Sequence, residues 1–215
     1  MDTNFWLQRW EKNDIGGFHE PEANPILVKY FHELPLKKGG RIFLPLCGRT
    51  LDIAWLLSKG YRVAGAELVP LAIEQLFKGL GVKPKVSSLG PLKHYSADNI
   101  DIFVGDIFNV SQEMLDDIDV VYDRAALVAL PADVRPQYTK HLMEITHQAP
   151  QLLISYEYDQ SVMEGPPFSV SNKEVKQHYR DRYHLTLLES KNVPGGLKGK
   201  CPAQENVWLL EKRRG

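Results

Sequence analysis

The stretch from Arg41 to Glu67, RIFLPLCGRTLDIAWLLSKGYRVAGAE, admits very few folds. It reads as strand, sharp turn, helix, strand and acid. Gly39-Gly40 marks a turn, and Arg41–Pro45 after it is a short apolar run of the kind that forms a buried parallel strand. Leu46-Cys47-Gly48-Arg49 supplies the tight turn. Thr50 is placed to cap a helix in which Leu51, Ala54, Trp55 and Leu57 recur at helical spacing, until Gly60 stops it. Tyr61–Ala66 reads as a second strand that closes on Glu67. In a nucleotide-binding unit of this kind, the first turn offers backbone N–H groups at a helix N-terminus. An acid at the end of the second strand, about 20 residues on, takes the two ribose hydroxyls. Gly48 and Glu67 stand at that spacing. The turn has a single glycine and not G-x-G-x-x-G, so an ordinary parallel α/β unit with a solvated Glu67 stays open on this stretch alone.

Size and charge narrow the class. A chain of 215 residues suffices for one large domain, which buries roughly 70% of its unfolded surface and needs no staples. A formal net charge of −1 favours neither nucleic acid nor an anionic membrane, and Lys212-Arg213-Arg214 is too short to be more than a solvated tail. Cys47 and Cys201 cannot make a disulfide framework and suit a reduced cytosol. The N-terminal MDTNFWLQRW has no basic n-region or apolar h-region, and no apolar stretch is long enough to span a membrane. A cytoplasmic, monomeric protein is expected. The seven histidines show no metal-ligand spacing, so no metal is expected.

The first 20 residues crowd Phe5, Trp6, Trp10, Ile15 and Phe18 into a polar segment, with Phe5, Trp6 and Trp10 at spacings that fit one helical face. Two readings are open: a helix packed on the domain, or a lid over a ligand hinged at Gly16-Gly17 before Phe18-His19. Asn24-Pro25 begins a helix to about Leu34. Pro70 opens another that ends near Gly81, residues 82–99 read as a loop or short excursion, and Ile100–Val104 makes a third strand. Ile118–Tyr122 is a fourth strand, Pro131 begins a long helix towards His147, and Leu152–Tyr156 is a fifth strand. Ser171 caps a helix to about Asp181. Tyr183–Ser190 and Glu205–Leu210 form a closing antiparallel pair across Pro194-Gly195-Gly196.

Strands alternating with helices, then a strand pair, predict a doubly wound, mostly parallel sheet of about seven strands with an antiparallel edge. Residues 1–35 form a helical cap or lid, and residues 36–215 a Rossmann-like core of one domain. Ligands bind such sheets at the carboxyl ends of the strands. Those ends carry Leu46-Cys47-Gly48, Glu67, Asp106-Ile107, Asp123-Arg124 and Glu157-Tyr158-Asp159. Each acid alone is more often a helix cap or surface charge; four together on one rim favour a site.

The sequence resembles the thiopurine S-methyltransferase family, within the S-adenosylmethionine-dependent methyltransferases of Rossmann-like fold. The resemblance spans nearly the whole chain. It rests on Trp6-x-x-x-Trp10 with Phe18-His19, on Phe43-Leu44-Pro45-Leu46-Cys47-Gly48, and on Ala64-Gly65-Ala66-Glu67. It continues through Gly105-Asp106-Ile107-Phe108, Tyr122-Asp123-Arg124-Ala125-Ala126-Leu127 and Gly165-Pro166-Pro167-Phe168. The resemblance implies S-adenosyl-L-methionine as cofactor, with Trp6, Trp10, Leu46, Cys47, Gly48, Glu67, Asp106, Ile107 and Arg124 around it. It implies Phe18, Arg124 and Lys198 near the acceptor, with Arg124 also the catalytic residue. The expected reaction is S-methylation of thiopurines and related aromatic or heterocyclic thiols, with selenium and tellurium species as further acceptors. The last third departs from the family pattern: Gly196-Leu197-Lys198-Gly199-Lys200 has lysines and no arginine where family members carry basic residues near the acceptor.

The residues agree with this in chemical type. Glu67 offers two acceptor oxygens to a diol, Asp106 can accept from an adenine amino group, and Ile107 offers apolar surface to a base. Trp10 can favour a sulfonium through its aromatic face, a contact of roughly 0.5–2 kcal/mol. Arg124 has five donors and a permanent charge for a carboxylate or an anionic sulfur, unless it is spent on an ion pair with Asp123 or Glu157. An acidified thiol needs little proton abstraction, so no obligatory base is expected, although Asp159 and His19 are available. A nicotinamide-dependent dehydrogenase and a non-catalytic cofactor binder remain as alternatives.

Overall fold

The computed structural model describes residues 3–15 and 22–213. The predicted Gly16-Gly17 hinge, Phe18 and His19 lie outside the described residues. The elements in chain order are α1 (Thr3–Glu11), α2 (Pro25–Tyr30), β1 (Arg41–Leu44), α3 (Leu51–Ser58), β2 (Arg62–Glu67) and α4 (Pro70–Leu80). There follow β3 (Lys85–Leu89), β4 (Leu92–Ala97), β5 (Ile100–Val104), α5 (Gln112–Leu115), β6 (Val120–Arg124) and α6 (Arg135–Ile145). The chain closes with β7 (Gln151–Tyr158), α7 (Asn172–Tyr179), β8 (Tyr183–Asn192) and β9 (Ala203–Lys212).

Local chemistry sets most helix ends where the sequence places them. Asn24 accepts the Ile26 N–H and Pro25 opens α2; Thr50 accepts the Asp52 N–H ahead of α3; Ser171 accepts the Glu174 N–H ahead of α7. Gly81, left-handed at φ +68°, ends α4. The helix predicted from Pro131 begins about one turn later, at Arg135, with Pro136 in its first turn. Arg135 fixes that start: its buried guanidinium donates to the carbonyls of Leu130 and Ser169 and to Glu174.

The sheet runs β3-β4-β5-β2-β1-β6-β7-β9-β8. Strands β5, β2, β1, β6 and β7 are mutually parallel, and β9 is antiparallel to both β7 and β8. There are nine strands and not about seven. The difference is the hairpin β3–β4, antiparallel to β5, in the stretch expected to be a loop. β3 is largely exposed, and β4 buries only Leu92 and Tyr95, so the hairpin carries little apolar periodicity. Two-residue turns make it: Gly90-Pro91 joins Leu89 to its partner Leu92, and Asp98-Asn99 joins Ala97 to Ile100.

Successive residues of the parallel strands face opposite layers. Ile42, Leu44, Val63 and Ile102 pack with Ile26, Ile53, Leu56, Ile73 and Phe77 from α2, α3 and α4. Phe43, Ala64, Phe103, Val121 and Leu153 pack on the other side with Tyr138, Leu142, Val175 and Tyr179 from α6 and α7. Helices cover both faces, and the strand order reverses between β1 and β6. That reversal opens a crevice at the carboxyl ends of these strands.

Gly105 joins the hairpin to the rim. It stands at φ +142°, its N–H donates to the Glu67 carbonyl at 2.8 Å, and a Cβ there would lie 2.6 Å from Leu92 Cδ2. Gly105→Ala is expected to destabilise the protein by about 1–3 kcal/mol, from the left-handed backbone and the forced shift of Leu92. Urea unfolding measures it; an unchanged midpoint would remove the constraint.

Candidate functional site

The two strands that flank the reversal end in sharply turned backbone. After β1, Leu46 has φ +46° and Gly48 φ +54°; after β6, Ala125 has φ +64°. Both segments leave the sheet abruptly, and a cavity lies between them. It contains about 760 Å³ of space free of atoms, part of it continuous with solvent. Leu44, Leu46, Cys47, Gly48, Glu67, Arg124, Ala125 and Tyr122 line it from the sheet, and Thr50 and Asp52 from the start of α3. Trp6, Trp10 and Ile15 complete it from the N-terminal segment.

Glu67 is the most constrained of these side chains. It is 7% exposed; Oε2 accepts the Gly48 N–H at 2.8 Å and Oε1 accepts the Val69 N–H at 2.9 Å. Burial raises its carboxyl above the usual range, and the backbone donors of Val69, Gly48 and Leu68 pull the other way. Each oxygen spends one of its two lone-pair directions on the backbone and keeps one. A carboxylate at the cavity wall can thus hold the turn and still receive two hydroxyls.

The packed-helix reading of α1 holds for Trp10. It is buried against Val69, Ala72 and Ile15, and it also lines the cavity. Its ring passes over the Gly48 turn, where an added Cβ would meet Trp10 Cζ2 at 3.3 Å. The Arg49 guanidinium lies 5.9 Å from the Trp10 ring centre and donates to Gln75 at 2.8 Å. Cys47 is buried, and burial followed by the Glu67 charge pushes its thiol well above the ordinary range. It is a neutral packing group and not a nucleophile at neutral pH.

Seven of the expected positions, Trp6, Trp10, Leu46, Cys47, Gly48, Glu67 and Arg124, meet around this cavity. Asp106 and Ile107 do not line it. They follow β5, whose last residue Val104 pairs with Glu67, so they stand beside it on the rim. Asp106 is exposed and its Oδ1 accepts the Phe108 N–H at 3.1 Å, while Ile107 is 1% exposed in the core. Lys198 also stands outside the lining, and its Nζ donates to the Pro166 carbonyl at 2.8 Å. Phe18 lies outside the described residues. Asp159, a candidate base, is exposed, away from the lining, and held ionised by hydrogen bonds from Ser161. Of the ion-pair partners considered for Arg124, Glu157 accepts the Asn172 N–H, and the carboxyl of Asp123 is taken by Tyr138 and Leu127. Among the described residues no cluster of three or more His, Cys, Asp or Glu could hold a metal ion. No described helix is long and apolar enough to cross a membrane.

Sequence reasoning missed Asp52, Ala125 and Tyr122 as cavity residues. A signal for Asp52 existed: an acid two positions after the cap Thr50 lies on the turn of helix nearest the Cys47-Gly48 loop. Ala125 carried none, since nothing in an alanine announces a left-handed conformation.

A parallel sheet reversing beside a strand tip with a buried acid is a Rossmann-like nucleotide-binding arrangement. Solved structures of that fold align along most of the chain. A SAM-dependent methyltransferase from Anabaena variabilis gives a TM-score of 0.63 at 18% identity, over 98% of this chain and 95% of that one. The 1,6-didemethyltoxoflavin-N1-methyltransferase of Burkholderia thailandensis, solved with S-adenosylhomocysteine, gives 0.66 at 14% identity, over 98% and 87%. The chain belongs to the thiopurine S-methyltransferase (TPMT) family, which matches residues 1–213. Proteins named thiopurine S-methyltransferase share 52% identity in Xanthobacter autotrophicus, over 99% of this chain and all of that protein, and 49% in Teredinibacter turnerae, over 99% and 98%.

Beneath the site, Asp123 is fully buried. Its Oδ2 accepts the Tyr138 hydroxyl at 2.7 Å and its Oδ1 the Leu127 N–H at 3.1 Å. Burial outweighs these donors and pushes its carboxyl from 3.8 up to about 6. The folded state therefore holds a proton between about pH 4 and 6 that the unfolded chain releases. The contribution of Asp123 to stability is greatest below that window and falls as pH rises through it, by on the order of 3 kcal/mol. Asp123→Asn, which cannot ionise, is expected to remove this fall and leave the slopes of the other carboxyls as they are. Urea unfolding from pH 4 to 7 checks it, and an identical slope in the variant would clear Asp123.

Proposed function

We propose that the cavity at the β1/β6 reversal binds S-adenosyl-L-methionine, and that the protein transfers its methyl group to the sulfur of thiopurines and related aromatic or heterocyclic thiols. The observation that carries this is Glu67: a buried carboxylate held by two backbone N–H groups on the wall of a cavity that Trp10 also lines. Family membership and the names of the relatives support the reaction.

The residues present fit the cofactor. Glu67 takes the ribose diol. Ile107 and Asp106, next along the rim, meet the base, Ile107 with apolar surface and Asp106 with its remaining carboxylate oxygen. Gly48 and Leu46 allow close backbone approach to the methionyl part, and Trp6 and Trp10 cover it. When bound, the cofactor supplies an electrophilic methyl group on a sulfonium. What the chain must add is alignment of the acceptor with that methyl at a near-attack distance of about 3–3.5 Å. It must also exclude water, because a solvated thiolate attacks less readily. Trp6, Trp10 and Ile15 provide the apolar cover. Arg124 steadies the anionic sulfur by its permanent charge. Lys198, whose proton is loosened by burial and by the charges of Arg9 and Lys200, brings basic character to the acceptor side together with Phe18. An aromatic thiol is acidic enough to arrive ionised, so no side chain need act as base. Soft selenium and tellurium nucleophiles fall within the same chemistry.

Glu67→Gln is expected to weaken S-adenosylhomocysteine binding by about 1–3 kcal/mol, read by calorimetry; an unchanged dissociation constant takes Glu67 out of the site. Arg124→Ala is expected to lower kcat for 6-mercaptopurine, and wild-type kinetics would refute its anion-holding role. Transfer of radiolabelled methyl to that thiol tests the reaction itself. Tight cofactor binding with no methylated thiol, selenol or tellurium product would leave only a binding protein.

A further inference from the structure

The two carboxylate oxygens of Asp52 have different fates. The residue is 1% exposed, sits in the first turn of α3, and lines the cavity shared by Glu67 and Arg124. Oδ1 accepts the Asn24 N–H at 2.6 Å, which anchors the cap of α2 to α3. Oδ2 is buried and accepts no hydrogen bond from any described residue. A buried charged acceptor left unpaired is costly, and native chains rarely leave one without a reason. The N-terminus of α3 favours a negative charge here. No described residue supplies a donor, and the carboxylate prefers a cationic one.

We infer that Asp52 Oδ2 receives the α-ammonium of the methionyl end of the cofactor, an assignment that rests on the cofactor reading above. The chemistry of the cavity selects this donor over others. A sulfonium has no N–H to give. A thiol acceptor is anionic or weakly acidic and is repelled by a carboxylate. The cavity wall carries two acids, Glu67 and Asp52, and two arginines, Arg49 and Arg124. Glu67, at the tip of β2, takes the ribose. Arg49 is engaged with Gln75 and lies near the Trp10 face, towards α4. Arg124, at the tip of β6 on the other side of β1, keeps the acceptor-sulfur role given above. Asp52 adds a charge that matches the ammonium, so the amino-acid end is read by charge as well as by shape.

The test pairs two ligands that differ in the amino-acid group: S-adenosylhomocysteine, and 5′-methylthioadenosine, which lacks it. Asp52→Asn keeps an oxygen for the Asn24 N–H and turns the other oxygen into an N–H donor that opposes a cation. By calorimetry, Asp52→Asn should weaken S-adenosylhomocysteine by about tenfold or more and leave 5′-methylthioadenosine unchanged. Unchanged S-adenosylhomocysteine affinity, or equal weakening of both ligands, overturns the assignment. Should the variant fail to fold, the wild type is compared with S-adenosylhomocysteine lacking its amino group. A loss of about tenfold or more supports Asp52, and equal affinity overturns it. Failure of the wild type to bind either nucleoside, with Glu67→Gln silent as well, would instead bring down the cofactor reading, and this assignment with it.

Discussion

The rim of the sheet depends on the pair of hydrogen bonds made by the Glu67 carboxylate. One goes to the turn after β1, at Gly48, and one to the turn after β2, at Val69. The same tips are laced by the backbone, with Cys47 N–H donating to the Ala66 carbonyl and Gly105 N–H to the Glu67 carbonyl, each within 2.9 Å. A carboxyl buried to this degree is costly unless donors surround it. Here the donors are backbone amides that would otherwise be orphaned at the mouths of two turns. The side chain that would seat the ribose is thus already the clamp that shapes the seat, and pre-shaping lowers the ordering required on binding.

Backbone strain surrounds that clamp. Leu46 and Ala125 both adopt left-handed conformations, which cost non-glycine residues about 1–3 kcal/mol each, and they stand on the two strands that flank the reversal. Neighbouring contacts hold both. Cys47 is fixed by its bond to Ala66, and Asp123 accepts the Leu127 N–H just beyond Ala125. Strain retained at both walls, with its supports in the core, is expected of a site that must stay open.

How much of this was legible follows from what is local. The unit from Arg41 to Glu67 announced itself, since its apolar run, cap, helix stop and terminal acid all act within a few residues. The rim acids were legible too, because in a parallel sheet every strand end falls on one edge. The β3–β4 hairpin was not: exposed Lys85, Val86, Ser87 and Ser88 form a strand through pairing with β4 and not through burial of an apolar face. Its two-residue turns were the available clue, and Pro91 masked the first as a generic loop. The start of α6 eluded pattern reading for a different reason. Pro131 and Pro136 are equally good helix openers locally, and the choice falls to Arg135 and its contacts with Ser169 and Glu174 more than thirty residues away. The partition of roles among the acids was equally non-local: whether Asp123 pairs with its neighbour Arg124 or with Tyr138 depends on how α6 packs.

Charge ties the last third of the chain to α1. Lys198, in the connection between β8 and β9, loses proton affinity first through burial and then through the charges of Arg9 and Lys200, against the pull of Asp14. Arg9 and Asp14 form an ion pair at 3.2 Å at the end of α1, the helix that places Trp10 over Gly48. Charges separated by less than a Debye length, about 8 Å at physiological salt, feel one another even at a surface. The connection that carries Lys198 and the helix that covers the Glu67 turn are therefore electrostatic neighbours.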